Sequence, residues 1–219
     1  MSYEEGRDLA QLNARRNVGP GADPARIRAW ANYKNDSKYR RINQHWREGN
    51  EPTADDQARI STFDMFVLAR DMQLYRGVRA TSFQSQGRLG GKRRGDYIDD
   101  PAYVSTSFTR REAEYFADYD PEDRPIIERF IFDIQAPPGM AYSPIDDDET
   151  SATNEDEIVL PPGTRFLLTG NATIDRSGRT VYPVLPFPPG FDEIGAEDDP
   201  REVAIEAWGV WVESRKENP

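Results

Sequence analysis

Apolar positions along this chain change their period twice. Residues 1–23 mix Gly, Asn, Arg and Pro with no apolar rhythm and read as a loose leader. From Pro24 onward Ile27, Trp30, Ala31 and Tyr33 fall near helical spacing, and Tyr39, Ile42 and Trp46 repeat it. Thr53 followed three residues later by Asp56 is a helix-start signal and predicts a third helix burying Ile60, Phe63, Phe66 and Val67. The texture then turns to short apolar runs. Leu74–Val78, Ala102–Phe108, Ile126–Ile134, Ile158–Leu160, Arg165–Thr169 and Val181–Leu185 are strand candidates. In the third of these, Ile127, Arg129 and Ile131 alternate with Glu128, Phe130, Phe132 and Ile134, so both faces are expected to be partly covered. Thr109 and Glu112 form a capping-box signal for a helix that turns Ala113, Phe116 and Ala117 inward.

A helical first third followed by a strand-rich remainder predicts an α+β fold, without the regular alternation of a doubly wound sheet. Arg201–Arg215 fits a helix through Ala204, Trp208 and Trp211, or a strand through Val203, Ile205 and Ala207; period does not decide between them.

Composition narrows the chemistry. The 219 residues contain no Cys and one His, which excludes disulfides, thiolate zinc sites, cysteine nucleophiles and multi-histidine metal clusters. No run approaches the ~18 apolar residues of a membrane helix, and the first twenty residues lack the apolar centre of a secretory signal. The net charge of −11 is uneven: residues 1–50 carry 10 basic and 6 acidic groups, and residues 191–219 carry 3 and 9. An acidic surface repels polyanions, so nucleic acid is disfavoured as a partner. The first fifty residues alone leave room for a basic patch.

Three short segments carry candidate chemistry, each with a bland alternative. Glu155 and Glu157 share one face at the start of the Ile158–Leu160 strand, because strand side chains alternate. Such a pair suits a site where one carboxylate stays ionised beside a developing cation while the other handles a proton. Taken alone, such a segment is more often a solvated acidic turn before a strand. Ser105 and Ser107 of Tyr103-Val104-Ser105-Thr106-Ser107-Phe108 share a face and can donate and accept hydrogen bonds, or simply belong to an edge strand. Arg76 lies in the apolar run Leu74–Val78 and needs an anionic partner, either a ligand phosphate gripped by the guanidinium fork or a structural carboxylate. Two decoys fall away. Asp146 to Glu157 has calcium-loop length, but Ser151 stands where the sharp turn needs glycine. Gly87 to Gly95 suggests a phosphate loop, but Arg93 replaces the magnesium-binding hydroxyl.

The order Arg, then Ser-Thr-Ser, then Glu-x-Glu is more specific than any one segment. It resembles the arginine-serine-glutamate class of mono-ADP-ribosyltransferases, which includes bacterial exoenzyme toxins and phage host-modifying enzymes. The likeness runs from about Tyr33 to Phe187. It takes in Tyr39, Ile42, Asn43 and Arg47, Tyr75-Arg76-Gly77, Val104-Ser105-Thr106-Ser107 with Ala113 and Phe116, and Glu155-Asp156-Glu157 leading to Leu160-Pro161-Pro162-Gly163-Thr164.

The resemblance implies an ADP-ribosyltransferase-like split, bent two-sheet core with N-terminal helices and NAD as co-substrate in its cleft, with no metal. It implies a catalytic domain over 24–190 between the leader 1–23 and an acidic extension 191–219. Arg76 would hold a phosphate and Ser105 would orient Glu157. Thr106 and Ser107 would shape the nicotinamide and ribose pocket, with Gly77 and Phe108 beside them. Glu157 would bind the ribose and face the charge that develops as nicotinamide leaves, and Glu155 would position the acceptor.

Glutamate at 155 goes with arginine acceptors in this class, and the chemistry agrees, since a guanidinium is a poor nucleophile until a carboxylate takes its proton. Seven acids lie between Asp146 and Glu157 with no base among them, which predicts a target protein with its arginine in a basic surface. Arg110, Arg111 and Arg124 are candidates for the second phosphate. A monomer acting in the cytoplasm of a host or target cell is the expected setting. The alternatives are an NAD glycohydrolase, and a non-catalytic module docking through Trp208 and Trp211.

Overall fold

The computed structural model describes residues 33, 38–63, 66–80, 89–120, 123–144 and 157–217. The predicted helix around Ile27 and Trp30 and the acidic loop with Glu155 lie outside them. Among the described residues there are four helices, α1 (Lys38–Arg47), α2 (Ala54–Ile60), α3 (Arg110–Asp118) and α4 (Pro200–Glu217). The nine strands are β1 (Met72–Ala80), β2 (Tyr97–Asp99), β3 (Val104–Ser107), β4 (Glu128–Ala136), β5 (Ser143–Pro144), β6 (Glu157–Leu160), β7 (Arg165–Leu168), β8 (Thr173–Ile174) and β9 (Thr180–Phe187).

The strands run in the order β2-β7-β9-β4-β1-β3-β6-β5, with β8 paired to β9. Two slabs are visible in the register. β1 and β4 pair antiparallel over nine residues, from Met72 with Ala136 to Ala80 with Glu128, and β9 lies parallel to β4. β3 pairs with β6 over four residues. A single pair, Tyr75 with Ser107, joins the slabs. The expected α+β class and split core are both borne out.

Alternation along β1 and β4 explains the layers. Leu74, Phe130, Phe132 and Ile134 face the main core, while Ile131 faces Ala113 and Ala117 of α3. Both faces of β4 are therefore covered. α3 comes so close to β1 that a Cβ added to Gly77 would stand 1.8 Å from the Ala113 carbonyl oxygen. Glycine at 77 and alanines at 113 and 117 permit this contact. Phe116 is 39% exposed, against the inward orientation expected of it, because residues 113 and 117 already occupy the inward stripe.

The α2 capping box forms between Thr53 and Asp56. The helix ends at Ile60, so Phe63 and Phe66 are buried beyond it, and Val67 is exposed rather than buried. At α3 the Thr109 hydroxyl accepts from Glu112 N, but Thr109 N donates to Ser107 Oγ rather than back to Glu112. The C-terminal segment resolves as helix. Trp208 of α4 is fully buried in the main core and donates Nε1 to Pro186 O at 3.0 Å. Trp211 packs edge-on against it, with ring centroids 5.7 Å apart. This corrects the reading of Trp208 and Trp211 as an exposed docking patch: both rings fill the interior, and the core continues past residue 190.

Candidate active site

β1 carries Arg76 on the face opposite Gly77, where it reaches the backbone of β3. Its side chain is only 13% exposed. Burial pushes its pKa down, and the Asp100 carboxylate acts against that shift. Nη2 lies 2.9 Å from Asp100 Oδ2 and Nη1 donates to Ser105 O at 2.9 Å. Asp100 also sits 3.6 Å, through Oδ1, from Nη2 of Arg47 at the end of α1. The backbone of Asp100 is bracketed by the turn after β6: Gly163 N donates to its carbonyl and its own N–H donates to Thr164 O. Gly163 has φ +85°, the left-handed conformation that the Pro161-Pro162-Gly163-Thr164 turn requires.

The opposite wall is β3 with β6. Ser107 stands beside Glu157 and Ser105 beside Val159, so Ser105, Ser107 and Glu157 share a face. Tyr33, 2% exposed, lies over that face and is held by Asn43, whose Nδ2 donates to the phenol oxygen at 3.1 Å. Burial pushes the Tyr33 phenol up and the Asn43 contact opposes this; Glu157 raises it further, and Arg76 and Ser105 lower it. One phenol therefore feels both the arginine of one slab and the glutamate of the other.

The remaining expected site residues divide. Thr106, 3% exposed, donates its hydroxyl to Ile158 O at 3.0 Å and stitches β3 to β6. Ser107 Oγ accepts from Thr109 N at 3.1 Å and so helps launch α3. Phe108 packs partly buried against the main core. Gly77 faces α3, away from Arg76, so its lack of a side chain answers to helix packing rather than to the cleft. Glu155 lies outside the described residues. Of the candidates for a second phosphate, Arg110 is engaged by Glu114 and Asp175, and Arg124 by Asp120.

The likeness took in Tyr33, Asn43 and Arg47 without a role for any of them, and sequence reasoning missed Asp100, the Tyr33–Asn43 contact and the place of Arg47 beside Asp100. The demand of Arg76 for an anion was the available signal; among Asp96, Asp99 and Asp100 nothing local marked the partner. A groove of about 870 Å³ lies elsewhere, at the β2–β7 edge between Tyr97, Arg165 and Arg201. Arg47, Arg76, Ser105, Ser107 and Glu157 do not line it. Among the described residues no cluster of His, Asp and Glu could hold a metal, and no helix is long and apolar enough to cross a membrane.

No family model matches the sequence, and no curated protein does. Solved structures do. The C3 exoenzyme of Clostridium limosum aligns over 85% of this chain and 95% of its own, at TM-score 0.63 and 15% identity. The fold is that of the ADP-ribosyltransferase toxins. C3stau2 of S. aureus, solved with NAD, shares the ADP-ribosyltransferase fold over 86% of this chain and 97% of its own, at TM-score 0.61 and 16% identity. The ADP-ribosyltransferase Vis, a Vibrio splendidus toxin solved with agmatine, covers 85% of this chain and 86% of its own at TM-score 0.57 and 19% identity. The resemblance drawn from Arg76, Ser105-Thr106-Ser107 and Glu155-Asp156-Glu157 is thus borne out at the level of fold.

Proposed function

We propose that this chain transfers ADP-ribose from NAD to an arginine side chain of a protein, releasing nicotinamide and using no metal. The observation that carries the reading is that Arg76 of the first slab donates to Ser105 O of the second, whose face also carries Glu157, beside the buried Tyr33 phenol. The donor set suits NAD. Arg76 and Arg47 offer guanidinium forks to the pyrophosphate, and Glu157 offers a carboxylate to the sugar.

Cleaving the bond between nicotinamide and ribose passes through an oxocarbenium-like state, so a fixed carboxylate binds the transition state better than the ground state. Ser105 holds Glu157 for that task. Glu155 binds the acceptor guanidinium and takes its proton as the new bond to the ribose carbon forms. The acidic residues Asp146 to Glu149 before the pair favour a target whose arginine sits in a basic surface. The agmatine complex of Vis, with its guanidinium group, supports an arginine acceptor by analogy of fold.

The test is labelled NAD with a protein-rich lysate, comparing wild type with Glu157→Ala and Glu155→Ala. Both variants should lose protein labelling, Glu157→Ala by roughly 10²–10³-fold, the scale of one preorganised electrostatic contact. Glu155→Ala should keep slow nicotinamide release, since water can replace the acceptor. Undiminished labelling by either variant refutes the assigned roles. Rapid nicotinamide release by wild type without labelling makes the chain a glycohydrolase.

A further inference from the structure

We infer that Asp100 is a positioning residue that holds Arg76 and Arg47 as one preformed clamp for a diphosphate; this rests on the NAD reading above. Two guanidiniums repel: burial lowers the Arg76 pKa most, Asp100 opposes this, and the charge of Arg47 lowers it further. One carboxylate lies between them, Oδ2 toward Arg76 at 2.9 Å and Oδ1 toward Arg47 at 3.6 Å. It is itself immobilised. Ala102 N donates to Oδ1 at 3.1 Å, and the Gly163 and Thr164 backbone brackets the residue from the turn that ends β6, the strand that starts with Glu157. Asp100 therefore registers α1 and β1 against the Glu157 strand.

Each guanidinium carries five N–H donors. The Arg76 bonds to Ser105 O and Asp100 Oδ2 use Nη1 and Nη2 once each, and Arg47 is 41% exposed. Donors remain for phosphate oxygens once the forks are oriented. A merely structural ion pair would leave NAD affinity alone. Simple charge counting makes the opposite prediction to ours, because removing an acid from an anion site should tighten binding.

The experiment is calorimetry of the full chain with NAD and with ADP-ribose, alongside steady-state kinetics, for wild type and Asp100→Asn. The asparagine keeps an oxygen for Ala102 N and loses the charge. Binding of both ligands should weaken roughly tenfold, the scale of a misplaced charge-assisted contact. KM for NAD should rise while kcat stays within about twofold, since Glu157 is untouched. Unchanged or tighter binding overturns the inference. If Asp100→Asn unfolds, Asp100→Glu carries the test, keeping the charge on an arm one methylene longer: weaker binding of both ligands supports the clamp, and unchanged binding overturns it. Absence of NAD binding by wild type would instead overturn the function proposed above, and the clamp with it.

Discussion

The slab formed by β2, β7, β9, β4 and β1 and the slab formed by β3, β6 and β5 are held by different means. In the first, a nine-residue antiparallel ladder and a parallel neighbour fix register, and apolar side chains cover both faces of β4. In the second, the strands are short and one face carries Ser105, Ser107 and Glu157. Val104, Ile158, Val159 and Leu160 there are buried in the same core as the first slab, and polar contacts add to that burial: Thr106 to Ile158 O within the slab, and Asn43 to Tyr33 and Arg76 to Asp100 and Ser105 O around it. The first slab is a frame whose job is to be stable. The second spends part of its packing surface on groups that face a cleft, and borrows its rigidity from the frame and from α1.

If that division is right, substitutions in the frame should move stability and spare chemistry. The largest expected effect is at Trp208. Trp208→Ala should cost about 3–5 kcal/mol in urea unfolding, since a fully buried indole is lost. A cost near that of a surface change, about 0.5 kcal/mol or less, would mean that α4 is an appendage and the frame ends before it. Gly77→Ala comes next, at about 1–3 kcal/mol from overpacking against the Ala113 carbonyl. The folded fraction should keep the NAD-dependent activity proposed above, because Arg76 projects from the other face of β1. Lost activity in a folded Gly77→Ala protein would break the comparison.

The smallest effect concerns pH, and separates α3 from the cleft. Arg179 bridges Asp118, Asp175 and Glu114, and Arg110 joins Glu114 to Asp175, tying α3 to the Asp175–Arg179 turn. Burial raises the Asp175 pKa, but the Arg179 and Ser177 N–H groups and then the two guanidiniums outweigh it and hold the carboxyl at about 2. The hydrogen bond from Arg179 likewise lowers that of Asp118, against the opposing effect of burial. Depressed folded-state values mean stability that is present above the unfolded value of about 3.9 and lost as pH falls toward the folded one. Acid unfolding followed by circular dichroism should therefore steepen between about pH 4 and 2, and Asp175→Asn should flatten it. An unchanged acid limb in Asp175→Asn would remove this network from the account of α3.

What was legible in the chain was what local rules control. Tyr39, Ile42 and Trp46 mark α1 by period, and Thr53 with Asp56 mark α2 by reciprocal capping. The order of Arg76, Ser105 and Glu157 pointed to one site; Arg76 donates to Ser105 O, and Ser105 and Glu157 lie on one face of the β3–β6 pair. Contacts made across sequence distance left no local trace. Asp100 looks like its acidic neighbours until β1 and α1 converge on it. Phe116 has the spacing of an inward residue, but Gly77 draws the narrow Ala113–Ala117 stripe inward instead. Trp208 and Trp211 are ambiguous because an amphipathic helix and an aromatic docking face share one pattern; only the arrival of β9 beneath them decides it.

The lone rung between Tyr75 and Ser107 has a mechanical meaning. With one rung of backbone pairing between them, the two plates owe the rest of their join to side chains: Val104, Ile158, Val159 and Leu160 of the second share the core with Leu74, Phe130 and Ile134 of the first. The guanidinium bridge from one plate to the other, through Asp100 and Ser105 O, then acts as a strut setting the resting aperture. The reaction proposed above, which takes in a long dinucleotide and afterwards releases a small base, would depend on the aperture this strut sets.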